Sequence, residues 1–266
     1  MSHRRGRVIA DRALRPPHRP RWAELLAVVV LFSTVLTLAS HDGLPTTAVG
    51  AGTIVGVVAV SPAPAPGPTP TLLSSIGGRG KVVALTFDDG PTTRYTPQVL
   101  DVLARYRVPA TFCEVGQLAQ AQPALVRRVV AAGHRLCDHT TSHDTRLATR
   151  PAGVIDQQLR TSREILRIAS GGADVACFRA PAGRWSPTLE RLSAQDGMQS
   201  LGWTIDTRDW TRPGTPAIVD AVERHVRPGA IILLHDGGGP RDQTVAAVSQ
   251  LIPWLRAQGY SIVLPG

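Results

Sequence analysis

From residue 81 to the end of the chain, short apolar runs alternate with amphipathic stretches, and several of the runs finish on ionisable residues. The apolar runs are 81–87, 110–116 (ATFCEVG), 134–139 (HRLCDH), 175–181 (VACFRAP), 199–206 (QSLGWTID), 230–236 (AIILLHD) and 261–265 (SIVLP). Their length and apolar character read as buried strands. Helices are expected between them, at 97–105, 123–132, 153–169, 187–196, 216–226 and 244–258. Four of these open on Pro97, Pro123, Pro187 and Pro216, and the first helical turn is where a missing N–H costs nothing. Regular β–α alternation implies an α/β fold, a parallel sheet with helices outside it. Seven such strands approach a (β/α) barrel. No internal repeat is present.

In such a barrel the chemical groups gather where strands end. In order, the run ends present Asp88-Asp89, His139, Arg179, Asp206 to Asp209, and His235. In KVVALTFDDGP (81–91) an apolar strand runs straight into two adjacent carboxylates and a turn. Asp-Gly and Gly-Pro are common turn pairs, so DDGP alone also has a purely structural reading. In HTTSH (139–143) two histidines stand at i, i+4 and share one face if the segment is helical, close enough for one metal ion. Two histidines and a carboxylate from another strand make a three-ligand site with an open water position. Asp88-Asp89 supplies that carboxylate and a second one. Neighbouring residues leaving a strand point in different directions, so one can hold metal while the other acts as general base.

The net charge of +9 is unevenly placed. Residues 1–22 hold seven arginines against Asp11, or +6, which leaves only +3 for the rest. A basic tail beside the apolar segment 23–39 (AELLAVVVLFSTVLTLA) is a membrane topology signal and argues against nucleic-acid binding. It is either a signal anchor or a cleaved signal peptide. The first places the protein in the cell membrane, single-pass with an extracytoplasmic domain; the second makes it secreted. Residues 40–78, with the run SPAPAPGPTP (61–70), read as a Pro/Gly/Ala-rich linker. Three cysteines, Cys113, Cys137 and Cys177, leave at least one thiol unpaired.

TFDDGP (86–91), HTTSH (139–143), FRAPAG (178–183), DTRDW (206–210) and LLH (233–235) resemble, in order, the five motifs of the polysaccharide deacetylases, the NodB homology domain of carbohydrate esterase family 4. The resemblance implies a catalytic domain over 79–266, folded as a distorted (β/α) barrel of about seven parallel strands. It implies that Asp88 is the catalytic base. Asp89, His139 and His143 would hold a divalent metal, zinc first, with cobalt or another divalent ion as alternatives. Arg179, Pro181 and Gly183 match the motif whose arginine orients the base. Ala182 would offer a backbone N–H to the oxyanion. His235 would be the general acid, Leu233 would line the acetyl pocket, and Trp210 would wall the sugar groove. Asp209 would tune His235, with Asp206 as the alternative.

Four departures from the family pattern bear on the site. Ala182 stands where an aromatic is frequent, and Trp185 is the expected substitute. Glu114 is expected to face solvent on an edge, with contact to the pocket as the alternative. Asp138 is expected to orient His139. A disulfide between Cys137 and Cys177 is allowed. The resemblance implies an extracytoplasmic, metal-dependent enzyme that removes N-acetyl groups from amino-sugar polymers, peptidoglycan first and chitin-like chains second. An O-acetyl xylan esterase and a catalytically silent glycan-binding module are the alternatives. The expected partners are the acetylated polysaccharide and a membrane; a monomer is expected.

Overall fold

The computed structural model of the chain describes residues 70–77 and 80–266. The basic stretch 1–22, the apolar segment 23–39 and most of the 40–78 linker lie outside the described residues. No described helix is long and apolar enough to cross a membrane.

The sheet is built on β2 (Val82–Gly90), the strand predicted from 81–87. Val83, Ala84, Leu85 and Phe87 are fully buried there. Alternation along the strand divides them between two faces. Val83, Leu85 and Phe87 join the large core under the helices, while Ala84 faces inward with Cys113, Cys137, Cys177, Leu201 and Ile231. The remaining strands are β1 (Leu72–Leu73), β3 (Thr111–Glu114), β4 (Arg135–Asp138), β5 (Val175–Phe178), β6 (Gln199–Leu201), β7 (Ile205–Asp206), β8 (Ala230–His235) and β9 (Ser261–Ile262). They form one parallel, curled sheet in the order β1-β6-β5-β4-β3-β2-β8-β7, with β9 on the start of β2. Helices α1 (Tyr95–Tyr106), α2 (Gly116–Ala121), α3 (Pro123–Ala131), α4 (Ala152–Ser170), α5 (Pro187–Gln195), α6 (Thr215–His225) and α7 (Asp242–Ala257) connect the strands. Six lie where the sequence predicts them. The short α2 is not expected from the sequence, which assigns no element to 117–121; it packs against α4 through Gly116, where a Cβ would stand 2.9 Å from Ser162 Oγ.

The cysteines explain part of the inner face. Cys113, Cys137 and Cys177 are register neighbours on β3, β4 and β5, and all three are buried and free. Small side chains are needed where strands curl toward one another. These thiols fill that space side by side, and the disulfide allowed between Cys137 and Cys177 is absent.

The run 199–206 is one strand by composition and two in space. It breaks at Gly202–Thr204, so that β6 pairs with β5 while β7 pairs with β8. The barrel therefore has a seam between β6 and β8. At the lower end of the seam the segment 72–76, assigned to the linker from sequence, enters the sheet. Leu72–Leu73 pair with Ser200 and Leu201 of β6, Ser75 bridges to Ala230 of β8, and the Ile76 N–H donates to Gly229 O at 2.7 Å. Leu73 and Ile76 then cover the inner apolar cluster. The folded domain thus starts before residue 78. A truncation beginning at residue 79 should melt about 4–8 °C below one beginning at residue 70, from the loss of about 2 kcal/mol of half-buried apolar surface. Differential scanning calorimetry of the two checks this.

Candidate active site

Asp88 is the last regular residue of β2, opposite Cys113 of β3 and His235 of β8. The register then shifts between Asp88 and Gly90, and Asp89 takes a left-handed backbone (φ 70). This bulge is how two adjacent carboxylates acquire separate surroundings. Asp88 Oδ1 accepts from Arg179 Nη1 at 2.7 Å. Asp89 Oδ1 lies 3.4 Å from His139 Nε2 and 3.2 Å from His143 Nε2. The bulge needs Gly90, whose Cβ would sit 2.5 Å from Asp236 Oδ2 and 2.8 Å from Glu114 Oε2. It also needs Gly237 and Gly238, which pack directly on Asp89.

HTTSH is a loop and not a helix. Thr140 (φ 70) and His143 (φ 55) reverse the chain, and two side chains hold the reversal. Asp138 Oδ1 accepts from the Thr140 N–H at 2.7 Å, and Thr140 Oγ1 accepts from the His143 N–H at 3.0 Å. The imidazoles end 4.9 Å apart, centroid to centroid. Asp138 thus shapes the loop, while the His139 ring is oriented by Arg179 O, 2.8 Å from its Nδ1. The tautomer that donates there leaves Nε2 free to ligate. Asp89, His139 and His143 bring one ligand atom each within 4.8 Å of one another. Asp89 Oδ1 is buried without a hydrogen-bond partner, so the carboxylate keeps a lone pair for a cation. One oxygen and two imidazole nitrogens suit zinc or a similar divalent ion, and these residues fit it.

Behind this centre lies Arg179, fully buried. Besides Asp88, its guanidinium donates to Thr86 Oγ1 (2.9 Å), Leu201 O (3.1 Å) and Gly202 O (2.9 Å). Across the cleft, His235 Nδ1 stands 2.6 Å from Asp209 Oδ1. Asp209 Oδ2 accepts from the His235 N–H at 2.9 Å and from Thr244 Oγ1 at 2.7 Å. Burial pushes the His235 pKa down, but the bond and charge of Asp209 outweigh it and raise it above the ordinary value. Burial pushes the Asp209 carboxyl up, and His235 and Thr244 hold it below the usual range.

These groups share a cleft of about 320 Å³, whose walls also include Ala182, Trp203, Asp206, Trp210, Leu233 and Arg241. The predicted site residues therefore converge, with four adjustments. Arg179 and Asp209 stand behind the wall, touching the groups that face it. Pro181 is buried and opens the short turn carrying Ala182 (φ 54), so it shapes the wall without lining it. Trp185 packs edge-on against Phe178, 5.7 Å between centroids, and the aromatic on the wall is Trp203. Trp203 stacks on Arg179 at 5.6 Å and fills the space left by Gly183. Asp206 lines the cleft but does not reach His235; the tuning residue is Asp209. Arg241, missed from sequence, donates to Gly237 O (2.6 Å), Gly238 O (3.0 Å) and Asp209 O (3.5 Å). It ties the glycine loop beside Asp89 to the loop that carries Asp209.

Glu114 is also misplaced by sequence. It is fully buried, neither carboxyl oxygen has a partner, and Asp236 approaches it over Gly90. Burial, then the charges of Asp236 and Asp88, push its pKa well above the ordinary carboxylate value. Burial likewise pushes Asp236 up to about 7.

A carboxylate beside a three-ligand cluster, facing a histidine–aspartate pair at the mouth of a (β/α) barrel, defines a hydrolase that activates water. The family model described as polysaccharide deacetylase matches residues 76–201. The chain is 50% identical over 190 residues to a chitooligosaccharide deacetylase of Sinorhizobium fredii, a match covering 68% of this chain and 88% of that one. It is 36% identical over 185 residues to a peptidoglycan-N-acetylglucosamine deacetylase of Bacillus cereus, covering 69% and 85%. Among solved structures it matches a mutant CE4 family pseudoenzyme with restored enzymatic activity, with a TM-score of 0.69, 28% identity and coverage of 74% and 70%. The chain belongs to the polysaccharide deacetylase family, and so to the hydrolases of non-peptide carbon–nitrogen bonds.

Two outcomes are expected from these electrostatics. Asp209 raises the His235 pKa, so Asp209→Asn should move the alkaline limb of kcat/KM to lower pH and reduce kcat about 100-fold. A pH–rate profile reads both. Glu114 binds its proton more tightly folded than unfolded. Its contribution is therefore lost as pH rises from the unfolded value, about 4.3, toward the folded one. Glu114→Gln should remove that loss and melt about 3–5 °C above the parent at pH 8, with little difference at pH 4.5.

Proposed function

We propose that the protein is an extracytoplasmic, zinc-dependent N-deacetylase of N-acetylglucosamine polymers, anchored by its N-terminal apolar segment. The observation that carries the reading is the division of the two adjacent carboxylates. Asp88 is held by Arg179 and kept out of the ligand set, while Asp89 turns to His139 and His143. A centre that only bound glycan would have no use for the second carboxylate. Peptidoglycan is the first substrate class and chitin-like oligomers the second; the relatives named above act on each. The extracytoplasmic location rests on the basic flank 1–22 before residues 23–39.

Asp89, His139 and His143 would hold the metal, which when bound supplies Lewis-acid polarisation of the acetyl carbonyl and an acidified water. The protein does the rest. Arg179 occupies Asp88 Oδ1, which leaves Oδ2 as the oxygen that takes the proton from water. The water oxygen adds to the acetyl carbon as the carbonyl π pair moves onto oxygen. Ala182, on the cleft wall, would offer its backbone N–H to that developing charge. His235, with Nδ1 engaged by Asp209, delivers a proton from Nε2 to the sugar nitrogen. The carbon–nitrogen bond breaks, and acetate and a free amine leave. Leu233 supplies an apolar surface for the methyl group, and Trp210, 51% exposed, a face for the sugar.

Acetate release from peptidoglycan and from N-acetylglucosamine oligomers tests the reading. Release should stop with chelator, return with zinc, and fall about 10³-fold in Asp88→Asn. Release that survives both treatments would remove the proposed mechanism. Protease protection of the intact cells should leave only residues near 1–22 inside.

A further inference from the structure

We propose that the segment 72–76, the strap across the seam, is a positioning element for the reaction. It holds the guanidinium of Arg179, and through it Asp88 and His139, from outside the cleft. The inference rests on the deacetylase reading and adds a part to its machinery. No residue of the strap lines the cleft, so its effect passes through the chain between. That path is short. The pairing of β6 with β5 ends at Ser200. Beyond it, the peptide group joining Leu201 to Gly202 is bonded on both sides. Its N–H donates to Leu73 O of the strap at 2.8 Å, and its carbonyl accepts from Arg179 Nε at 3.1 Å. A trans peptide points these two groups in opposite directions and moves them as one plane. The next carbonyl, that of Gly202, accepts from Arg179 Nη2 at 2.9 Å. One peptide plane therefore separates the strap from the guanidinium. The guanidinium then reaches Asp88 Oδ1 at 2.7 Å, and the Arg179 carbonyl stands 2.8 Å from His139 Nδ1.

Gly202 does not hold this plane by itself. Without a Cβ its backbone is free to turn. The strap packs where a Cβ would stand, with Ser74 Oγ 2.7 Å and Leu72 Cδ1 3.3 Å from that point. Two residues on, Thr204 Oγ1 donates to Ser74 O at 2.7 Å, and the Thr204 N–H donates to Ile231 O at 2.9 Å. The strap thus pins both ends of the crossing 202–204. Trp203, between them, lines the cleft and stacks on Arg179. The strap's own anchors lie at the lower end of the seam. They are the Leu73 and Ile76 side chains on the inner apolar cluster and the Ile76 N–H on Gly229 O. A displacement of about 1 Å in groups that orient a reaction costs about 100-fold in rate. Loosening these anchors is therefore felt in turnover while the barrel still stands.

The test uses the full-length, zinc-loaded protein well below its melting transition. Leu73→Ala and Ile76→Ala loosen the strap, and Ile76→Asp releases it. Val129→Ala, at a buried position of α3, destabilises the domain without touching the strap. For acetate release from an N-acetylglucosamine oligomer, kcat should fall about three- to tenfold in the two alanine variants and about 10- to 100-fold in Ile76→Asp. Circular dichroism should stay that of the parent, and Val129→Ala should keep the parental kcat. A second readout needs no turnover. The Arg179 Nε–H, bonded to the Leu201 carbonyl, should exchange slowly with solvent in the parent and about tenfold faster in the strap variants, as followed by nuclear magnetic resonance. If Ile76→Asp does not fold, the two alanine variants decide. Parental kcat or parental Arg179 exchange in folded strap variants overturns the proposal and leaves the deacetylase reading standing. An equal fall of kcat in Val129→Ala overturns it as well, because the strap then acts through stability alone. No acetate release from the parent overturns the deacetylase reading, and the exchange rates still decide whether the strap holds Arg179.

Discussion

The buried guanidinium of Arg179 is the interaction on which the rest of the structure depends. A charge taken out of water survives only if it is paired and its donors are met. Here the partner is Asp88, and the remaining donors go to Thr86 and to the carbonyls of Leu201 and Gly202. Those two carbonyls sit where the chain leaves β6 and crosses toward β7. They border the seam at which the sheet fails to close. The side chain that sets the base also satisfies backbone that a missing strand pairing would have left bare. Its own carbonyl orients His139, so base, metal ligand and barrel closure meet at one residue.

The second organising fact is how tightly the ligand loops are packed against acids. Asp88, Asp89, Glu114, Asp138 and Asp236 all end up at the same rim of the sheet, four of them buried. So many carboxylates cannot all ionise together in a low dielectric. The structure separates their roles by partner. Asp88 has an arginine and Asp89 two imidazoles. Asp138 has a backbone N–H, with burial pushing its pKa up to about 7. Asp236 Oδ2 accepts from Thr96 Oγ1, and Glu114, with no partner for either oxygen, is pushed furthest toward its protonated form by burial and by the charges of Asp236 and Asp88.

Much of this was legible in the chain. The β–α alternation survives almost unchanged because buried strand and amphipathic helix leave different periodicities. Asp88, Asp89, His139, Arg179 and His235 converge because each stands at the end of an apolar run, and His143 and Asp209 lie on the loops that follow such runs. What was not legible has physical reasons. The split of 199–206 falls at Gly202–Thr204, and a single Gly inside a short mixed run does not by itself separate one strand from two. Leu72–Leu73 form too short a strand, too close to prolines, to be told from a linker. The spacing of His139 and His143 was right for one metal, but the reversal is made by two left-handed residues that no periodicity reveals. Glu114 was read outward because a carboxylate usually is; only its crowding over Gly90 with Asp236 says otherwise.

A barrel whose seam is fastened by a side chain carries a constraint that a closed ladder does not. At most catalytic positions, loss of chemistry and loss of fold are separate events, and a chain can drift into silence while remaining a sound scaffold. At residue 179 they coincide. A descendant that abandons hydrolysis can discard its proton donor or its ligands with little structural penalty. It must keep the guanidinium, or else close the gap by some other means. The arginine is therefore a record of how the fold is shut, and its presence alone says little about whether the chemistry is still running.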